Sequence, residues 1–575
     1  MRVVRVLPDV AAVARRFDYR VPPGLEDRVA VGTRVRISLH GRRVAGWVVA
    51  ADVEPEPGLE LKPLAKVSGL GPPPPVVALA DWAAWRWAGP LSALLTAASP
   101  VTMVRDLPPP PSPGPAPPAR AGGPLGPTAA AALGGVERPG LLRVGPATDL
   151  IDVVVGVCRS APGPVLVLVP ALGWAERLRV RLTRRGFAVA GSWAEAAAGW
   201  PVVVGARSAA FAPLGRLGAA VVLDAHDEAY REERSPQFDA AAVVAERCRR
   251  DGAPCLLVSA APSAAQLVAC RPVEAPRDLE RGGWPALHVV DRRHADPRSG
   301  MYAEELVRAA RARYPHPFVV VYNRRGRGRL FACARCGELA RCERCGHSVA
   351  ESGERLACGT CATERPRVCA ACGHGRLKVL RYGVSRVREE LEALVGMAVG
   401  EVSGPDGPVP DTPVVVGTEA VLHRLRRASV VAFLDFDLHL LAPRLAAGEQ
   451  ALGLLARAGR LVGGRASPGS GVVYVQTRLP DHEVLAAATA GDPTRFSAPE
   501  LEVRRELGLP PFSALAELSG PGAAEYVAAL GLQDSALSAD RFLVRAPDHQ
   551  ALCDRLAAVE RPRERVRVLV DPIGV

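Results

Sequence analysis

Lysine is almost absent from this chain of 575 residues. Only Lys62, Lys66 and Lys378 are lysines, so arginine supplies the other 69 of the 72 basic side chains. The long interval between Lys66 and Lys378 contains none. A guanidinium is a planar fork and a poor substitute for a compact ammonium group. A site that depends on a lysine ammonium is therefore excluded from that interval.

Long apolar runs are missing as well. No stretch reaches the roughly 18 to 20 consecutive apolar residues of a membrane span. The N-terminal segment MRVVRVLPDVAAVARRFDY has neither the apolar core nor the cleavage site of a signal peptide. We therefore expect a cytoplasmic protein without a membrane partner. A hydrophobic fraction of 48% and a charged fraction of 23% indicate folded, globular domains.

The chain has a marked positive charge, with a formal net charge of +12. Such an excess suits a polyanionic partner, and guanidinium groups bind phosphate bidentately. Nucleic acid is therefore the leading candidate partner. The alternative is a merely basic surface without a specific ligand.

The apolar runs predict several domains, because a single core stops growing near roughly 250 to 300 residues. Short alternating runs up to residue 70 predict a small β-domain. Two later sets of apolar runs, separated by helix-length stretches, predict two tandem α/β lobes with parallel sheets. The first set covers 164–170, 201–206, 219–225 and 253–260, and the second covers 317–323, 412–418, 430–436 and 471–477. A Pro- and Gly-rich stretch after the β-domain predicts an extended linker, and the C-terminal hundred residues predict an α+β domain.

Eight of the 13 cysteines form four Cys-x-x-Cys pairs within forty residues. Each pair can grip one face of a tetrahedral Zn²⁺, so four pairs predict two closed, structural zinc sites. Spacing alone leaves three ways to combine the pairs. His347 and His374 could replace a cysteine, and redox dithiols or ordinary buried cysteines are the alternative to metal. The other cysteines are predicted to be core residues: Cys158, Cys248, Cys255, Cys270 and Cys553.

The residues around the cysteines, NRRGRGRLFACARCGELARCERCG, resemble the zinc region of the PriA family of primosomal replication-restart helicases. Upstream, VLVLVPALGWAERL and VVVGARSAAFAPLGRLGAAVVLDAHDEAYREE resemble that family's first helicase lobe. Downstream, VVVGTEAVLHRLRRASVVAFLDFDLHLLAPR and RRELGLPPF resemble its second lobe and C-terminal domain. The resemblance covers nearly the whole chain, in order.

The resemblance implies a multidomain α/β protein with two RecA-like helicase lobes. The implied divisions are an N-terminal domain binding DNA 3′ ends, a linker, lobe 1, lobe 2 with its zinc insert, and a C-terminal domain. Their predicted bounds are 1–104, 105–138, 139–285, 286–478 with the insert at 333–372, and 479–575.

The resemblance also implies specific ligands. One zinc ion would be bound by the outer cysteine pairs, and the other by the inner pairs. These sets are Cys333, Cys336, Cys369 and Cys372, and Cys342, Cys345, Cys358 and Cys361. The N-terminal ARRFDYRVPPG matches the family's DNA 3′-end domain, which implies that Phe17, Asp18, Tyr19, Gly41 and Lys62 bind DNA. Aromatic stacking and a cation near phosphate suit an unpaired end, although simple strand alternation also explains Phe17 and Tyr19.

The chain departs from the family where ATP chemistry is expected. A phosphate-binding loop needs a lysine, but the corresponding segment reads LLRVGPATDLIDVV. LDAHDE keeps Asp224 without the neighbouring glutamate that would act as base, and ARAGR keeps Arg457 and Arg460 without the expected glutamine. No catalytic residue is therefore assigned beyond these three weak candidates, and binding of ATP and Mg²⁺ is disfavoured.

These observations predict a monomeric, zinc-containing DNA-binding protein of replication restart. It would recognise stalled forks through forked or single-stranded-end DNA and recruit other primosome proteins and single-strand-binding proteins, without unwinding DNA. One alternative is an active ATP-dependent 3′ to 5′ DNA helicase. A second is a zinc-dependent protein-interaction module.

Overall fold

The architecture is that of a computed structural model. It describes residues 2–10, 15–55, 60–111, 123, 125–273, 275–295, 301–323, 330–336, 338, 340, 342–344, 349–352, 355–358, 363–381, 384–402 and 408–574. The chain divides into two compact units. Unit 1 comprises Met1–Val144, Asp149–Pro276 and Phe496–Val575, and unit 2 comprises Gly145–Thr148 and Arg277–Arg495. Among the described residues, no helix combines the length and apolarity that crossing a bilayer requires.

The N-terminal part of unit 1 is the predicted β-domain, a five-stranded antiparallel sheet in the order β2-β1-β4-β3-β5. Alternating Val and Ile side chains of β1 and β3 form its core. The backbone at Arg20 also bonds to Lys62 and Leu64, so the segment before β5 reaches back to β2. The elements are β1 Val3–Pro8, β2 Phe17–Arg20, β3 Arg34–Leu39, β4 Arg42–Ala51, β5 Lys66–Gly69, and helices α1 Pro74–Arg86 and α2 Leu91–Ala98.

Unit 1 continues into a seven-stranded parallel sheet in the order β12-β6-β11-β10-β7-β9-β8. Its central strands are buried on both faces, as runs of Val and Leu in parallel sheets are. Each of the four apolar runs predicted for this lobe forms a strand. The elements are α3 Leu125–Ala132, β6 Gly140–Arg143, α4 Ile151–Ser160, β7 Val165–Leu168, α5 Leu172–Thr183, β8 Val189–Ala190, α6 Trp193–Ala197, β9 Val202–Gly205, β10 Ala219–Leu223, α7 Ala240–Asp251, β11 Cys255–Ser259, α8 Ala264–Ala269 and β12 Arg271–Val273.

Helix α3 lies inside the stretch that composition predicts as an extended linker. Its alanine run favours helix, and Leu125 and Ala129 are buried. The helix approaches α4 closely, because a Cβ added at Gly156 would meet the Gly126 carbonyl oxygen at 2.4 Å. The prediction failed here because the surrounding Pro and Gly residues hid a short helix that is stabilised by packing on α4.

Unit 2 contains a six-stranded parallel sheet in the order β13-β23-β22-β14-β21-β20. The four runs predicted for this lobe are again strands, and the cysteine block is inserted between β14 and α11. The block has a two-stranded stem, β15 with β19, and a three-stranded antiparallel sheet. The elements up to the end of the block are α9 Arg277–Gly282, β13 Ala286–Asp291, α10 Glu304–Arg311, β14 Phe318–Val321, β15 Leu330–Cys333, β16 Val349–Ser352, β17 Arg355–Cys358, β18 Glu364–Pro366 and β19 Leu377–Arg381.

The remaining elements complete the second sheet and form the C-terminal α+β domain. That domain packs α17 and α18 on an antiparallel sheet in the order β25-β26-β24-β27. The elements are α11 Val384–Val395, β20 Val399–Val402, β21 Val414–Gly417, α12 Val421–Arg424, β22 Val430–Phe433, α13 Asp437–Leu440, α14 Ala447–Val462, β23 Val472–Thr477, α15 Glu483–Ala490, α16 Thr494–Glu506, β24 Ala514–Ser519, α17 Ala523–Leu530, β25 Gln533–Ser538, β26 Arg541–Ala546, α18 His549–Ala558 and β27 Arg567–Val570. The predicted fold class, an α/β multidomain protein with two tandem parallel-sheet lobes, is confirmed.

Candidate metal centre and nucleic-acid interface

Four thiols of the cysteine block converge in unit 2. The Sγ atoms of Cys333, Cys336, Cys369 and Cys372 all lie within 4.8 Å of one another. Cys333 Sγ lies 3.5 Å from Cys372 Sγ, and Cys336 Sγ lies 3.6 Å from Cys369 Sγ. A tetrahedral Zn²⁺ with Zn–S bonds of about 2.3 Å separates its sulfurs by about 3.8 Å. The four thiols therefore fit a Zn(Cys)₄ site.

Backbone N–H groups favour the thiolate form of one cysteine in this cluster, Cys333. The N–H groups of Cys336 and Arg335 lower the pKa of the Cys333 thiol to about 6, and the Arg335 N–H lies 3.3 Å from Cys333 Sγ. Metal ligation requires deprotonated cysteine. Only Cys333 is arranged for the thiolate form in this way, because hydrogen bonds with neighbouring thiols raise the pKa of Cys336 to about 12 and also raise that of Cys372.

Each of the two Cys-x-x-Cys turns of this cluster is closed by a backbone hydrogen bond of the same kind. Cys333 N–H donates to the Glu338 carbonyl at 2.8 Å, and Cys369 N–H donates to the His374 carbonyl at 3.0 Å. In both cases the acceptor lies five residues after the first cysteine. A third Cys-x-x-Cys turn repeats the pattern, since Cys358 N–H donates to the Thr363 carbonyl at 3.0 Å.

The inner pairs are only partly described. Cys342 and Cys358 are buried in the small core that Phe331 and Leu356 also form, whereas Cys345, Cys361 and His347 lie outside the described residues. The structure therefore brings the outer four cysteines together, and it gives two members of the inner set a shared core. His374 serves the outer cluster through its backbone carbonyl.

The predicted aromatic contacts to DNA lie on β2, but they differ in exposure. Phe17 is half-buried, and the guanidinium carbon of Arg15 lies 5.7 Å from its ring centre. Tyr19 is buried in the β-domain core, and its hydroxyl donates to the Ser38 carbonyl at 3.1 Å. Burial raises the Tyr19 pKa. Phe17 thus offers ring surface to a ligand, while Tyr19 supports the strand from inside.

Asp18 is held between these two residues by an arginine that sequence reasoning missed. Arg5 Nε and Nη2 donate to the two carboxylate oxygens of Asp18 at 2.8 and 3.0 Å. The Asp18 side chain is only 12% exposed. The pairing follows from the β1–β2 register, in which Arg5 lies opposite Asp18. An alternating Arg in the first strand is the only trace of it in the sequence.

Lys62 and Gly41 occupy different places around β2. The Lys62 carbonyl accepts the Arg20 N–H at 3.1 Å, and its side chain is exposed. Gly41 lies in the two-residue turn between β3 and β4, where both His40 and Gly41 have positive φ, 47° and 78°. Such a turn favours Gly at its second position, so the turn geometry alone accounts for Gly41.

The surface of the β-domain around these residues is basic, with exposed side chains at Arg15, Arg16, Arg20, Arg36, Arg42 and Arg43.

The segment matching the phosphate loop is engaged with its own chain. In unit 2, Gly145 and Pro146 are buried, and Ala147 N–H donates to the Gly283 carbonyl at 3.0 Å. Thr148 N–H donates to the Gly145 carbonyl at 3.0 Å, and Pro146 has no N–H. A cradle for phosphate needs these donors free.

The start of α4, in unit 1, is occupied by a carboxylate. Asp149 accepts the N–H of Ile151 at 3.2 Å and two bonds from Arg181, at 2.9 and 2.5 Å. Burial would raise the Asp149 pKa, but the hydrogen bonds from Arg181 and Ile151 lower it overall. An internal anion therefore stands at the helix N-terminus that a phosphate would use.

The three weak catalytic candidates belong to different units of the chain, Asp224 to unit 1 and both arginines to unit 2. Asp224 follows β10, is 6% exposed and has a positive φ of 47°. Arg457 and Arg460 are part-buried on α14. All three interact with other groups of the protein.

Three cysteines predicted as core residues line a cavity in unit 1. Cys248, Cys255 and Cys270 are buried, and the cavity, with a volume of about 370 Å³, is also lined by Trp82 and Arg86. Burial raises the pKa of Cys270 to about 11. This thiol is therefore less readily deprotonated than an exposed cysteine.

The comparisons with known proteins agree with the resemblance. Residues 5–100 match the family model PriA_3primeBD, described as the 3′DNA-binding domain (3′BD). The replication restart protein PriA of Rickettsia conorii is 27% identical over 364 residues, which cover 56% of this chain and 54% of the relative. That of Treponema pallidum is 29% identical over 345 residues, covering 55% and 51%. The chain thus spans about half the length of the curated relatives it matches. The predicted resemblance to the PriA family is confirmed.

Among solved structures, a DEAD box protein from Methanococcus jannaschii is similar at 10% identity with a TM-score of 0.29. The similarity covers 65% of this chain and 87% of that protein.

Proposed function

We propose that this chain is a DNA-binding component of replication restart that recognises forks by capturing a DNA 3′ end, and that it does so without ATP-driven unwinding. The match of residues 5–100 to the 3′DNA-binding domain model carries the proposal. The relatives named replication restart proteins support its biological setting. Recruitment of other primosome proteins and of single-strand-binding proteins is part of the proposal.

The β-domain would bind the end through three kinds of contact. Phe17 offers a half-exposed ring for stacking on a terminal base. Lys62 and the exposed arginines supply phosphate contacts, which give affinity and salt dependence. Asp18, held by Arg5, is an acceptor for a terminal hydroxyl and would repel a terminal phosphate. Tyr19 would act indirectly, by fixing β2.

The hydrogen bonds of Gly145–Thr148 and of Asp149 argue against ATP-driven unwinding of DNA. Backbone donors in this segment are already bonded within the chain, and a carboxylate holds the α4 N-terminus. With no lysine between Lys66 and Lys378, the triphosphate also lacks its usual cation. The alternative is an active ATP-dependent helicase, and an assay of ATP hydrolysis distinguishes it from the proposed function.

We propose two structural zinc ions in the cysteine block. The outer four thiols are close enough for one ion. The second rests on the repeated backbone closure at Cys358 and on the buried Cys342. Since four thiolates leave no open position, both ions would contribute folding energy and no catalysis. A protein whose zinc block only binds partners, with weak DNA binding, is the second alternative.

The 3′-end proposal is tested with forks that carry either a hydroxyl or a phosphate at the 3′ end. Fluorescence anisotropy should show about tenfold tighter binding of the hydroxyl fork, because a terminal phosphate brings a second anion to the Asp18 carboxylate and loses the hydrogen bond that the hydroxyl would donate, at a cost of roughly 1 to 3 kcal/mol. Asp18→Asn should reduce this discrimination. Asp9→Asn, in the same domain and paired with Arg34, should retain it. Equal binding of both forks by the unmodified protein would contradict the proposal.

ATP hydrolysis by the zinc-loaded protein, with and without forked DNA, separates the scaffold from the helicase. We expect no DNA-stimulated hydrolysis alongside tight, salt-sensitive fork binding. Stimulated hydrolysis that disappears in Asp224→Asn would restore the helicase. Fork binding that is weak at every salt concentration would favour the zinc-dependent interaction module.

A further inference from the structure

One face of the β-domain sheet brings together three cations from three neighbouring strands. Arg36 of β3 lies directly opposite Lys66 of β5. Arg43 of β4 lies opposite Ser38, two residues along β3 from Arg36. Because opposed residues of an antiparallel pair point to the same face, the three charged side chains share one face. They are all exposed, and they form the outer cation cluster, Arg36, Arg43 and Lys66.

The alternation along β3 fixes the face on which the outer cation cluster lies. Val35 and Ile37, the neighbours of Arg36 in sequence, are fully buried in the core of the β-domain. Their partners on the adjacent strands, Val67 and Val44, pack against the same core. The cluster therefore points away from the core.

The charges of the outer cation cluster have no counterion in the part of the chain that the structure describes. None of the three side chains takes part in a hydrogen bond or an ion pair there. Like charges directly opposite each other destabilise a pair of strands. Arg36 and Lys66 therefore repel each other, and an anion that contacts both would relieve the repulsion.

The acids that the strand register brings to this face are already paired. Asp9 N–H donates to the Ala45 carbonyl at 2.8 Å, and the Asp9 carboxylate accepts from Arg34 Nη2 at 3.2 Å. Asp18, farther along the sheet, is bound by both donors of Arg5. Each acid thus has an arginine of its own, outside the cluster.

The face around the outer cation cluster has no accessible aromatic ring along the described strands β3, β4 and β5. Their aromatic side chain on this face, Trp47, is fully buried, and the guanidinium carbon of Arg34 lies 4.2 Å from its ring centre. Proteins bind single strands by stacking their bases on aromatic side chains. A duplex keeps its bases stacked inside and presents phosphates, so a surface of cations alone suits duplex DNA.

The outer cation cluster also lies close along the chain to the predicted contacts for a 3′ end. Lys62 is fixed to β2 by the bond from Arg20 N–H to its carbonyl, and Lys66 follows it by four residues. Four residues span at most about 14 Å. At about 3.4 Å for each base pair, this distance corresponds to roughly four base pairs of duplex.

We propose that Arg36, Arg43 and Lys66 bind the phosphate backbone of the duplex arm that ends in the captured 3′ end. The inference rests on the proposed capture of a DNA 3′ end and adds the form of DNA next to that end. Guanidinium groups bind phosphate oxygens bidentately, and an ammonium group binds them as a point charge. The β-domain would thus prefer a 3′ end within a duplex arm to one on a free single strand.

The test compares two ligands, a fork whose 3′ end lies in a duplex arm and a short single strand of the same 3′ sequence. Fluorescence anisotropy measures both between about 50 and about 200 mM salt, where phosphate contacts set the slope of log affinity against log salt. The triple variant Arg36→Gln/Arg43→Gln/Lys66→Gln should bind the fork about tenfold more weakly at the lowest salt. Its slope for the fork should be shallower by about 2.7, or about 0.9 for each lost contact. Its binding of the single strand should be unchanged.

The matched control, Arg563→Gln/Arg565→Gln/Arg567→Gln, removes three exposed charges from the C-terminal domain and should change neither measurement. Lys66→Gln alone keeps the test decisive if the triple variant fails to fold, because Lys66 is exposed on the edge strand β5. Its slope for the fork should be shallower by about 0.9. Since it removes a repulsion, its midpoint of thermal unfolding should not fall.

An unchanged slope for the fork, an equal loss on the single strand, or the same change in the control overturns the duplex-binding surface. Any of these outcomes leaves the preference of the unmodified protein for a 3′-hydroxyl fork intact. Absence of that preference in the unmodified protein overturns the proposed function instead.

Discussion

The cysteine block and the Gly145–Thr148 segment are both places where the sequence leads one to look for a ligand, and they have opposite internal arrangements. In the block, four thiols point at one another within 4.8 Å. In the segment, the backbone donors turn onto Gly283 and Gly145, and Asp149 stands at the nearby helix start. The difference teaches that polar groups can hold a ligand when they still need a partner from outside the chain. They are less able to do so when the chain itself satisfies them.

The largest expected effect comes from removing metal from the cysteine block. Structural zinc contributes roughly 10 to 16 kcal/mol of apparent binding free energy in zinc-finger peptides. We therefore expect Cys369→Ser, or a strong chelator, to unfold the block and to release zinc. Metal analysis and thermal unfolding measure both effects. Cys158→Ser, at a half-buried cysteine outside the block, should keep the full zinc content; equal loss in both variants would break the comparison.

A smaller effect is expected where Gly145 packs. A Cβ at this position would meet the Glu280 carbonyl oxygen at 2.4 Å and the Gly283 Cα at 2.5 Å. Gly145→Ala should therefore lower the free energy of unfolding by about 1 to 3 kcal/mol, the cost of overpacking.

Chemical denaturation measures the change, with Gly215→Ala as control because a Cβ there meets nothing within 4 Å. If Gly145→Ala left the free energy of unfolding unchanged, the segment would be open, as a ligand-binding loop would be. The contrast with the cysteine block would then disappear.

The smallest effect is expected at Asp149, whose side chain is 58% exposed. Asp149→Asn should destabilise the protein by about 1 kcal/mol or less, the range for an exposed ion pair and a helix-end contact. Because the folded state lowers this pKa, the stabilisation is present above the unfolded value of about 3.9 and is lost as pH falls through the folded value.

Unfolding at neutral pH and at pH of about 3 tests the sign, since the difference between the variant and the parent should be smaller in acid. Glu176→Gln, at an exposed pair on α5, controls for general surface charge. If Asp149→Asn instead gained ATP binding, the helix start would be a usable anion site after all.

The sequence predicted much of the fold because its strands are marked by composition. All eight Val-rich runs assigned to the two lobes are strands, since fully buried parallel strands need continuous apolar residues. Helix α3 was not predicted, because its stability comes from packing on α4 and local composition carries no information about that packing. The convergence of Cys333 with Cys369 was accessible through motif resemblance, but spacing alone left the pairing open.

The functional details that were missed are matters of register. Arg5 faces Asp18 only because β1 and β2 pair in a particular alignment. The burial of Tyr19 also depends on which face of β2 turns inward. Such facts are long-range, so no motif within a few residues announces them.

The stem of the cysteine block makes the block structurally separable from its lobe. Leu330 at its start lies opposite Arg381 at its end, so the two points where the block leaves and rejoins the lobe are adjacent. Strand β14 meanwhile pairs with β21 and β22, and none of the strands described for the block, β15 to β19, belongs to the lobe sheet. The block is therefore an insertion attached to the lobe through one pair of antiparallel strands. It could be exchanged, shortened or transplanted to another scaffold while the lobe keeps its hydrogen-bond order.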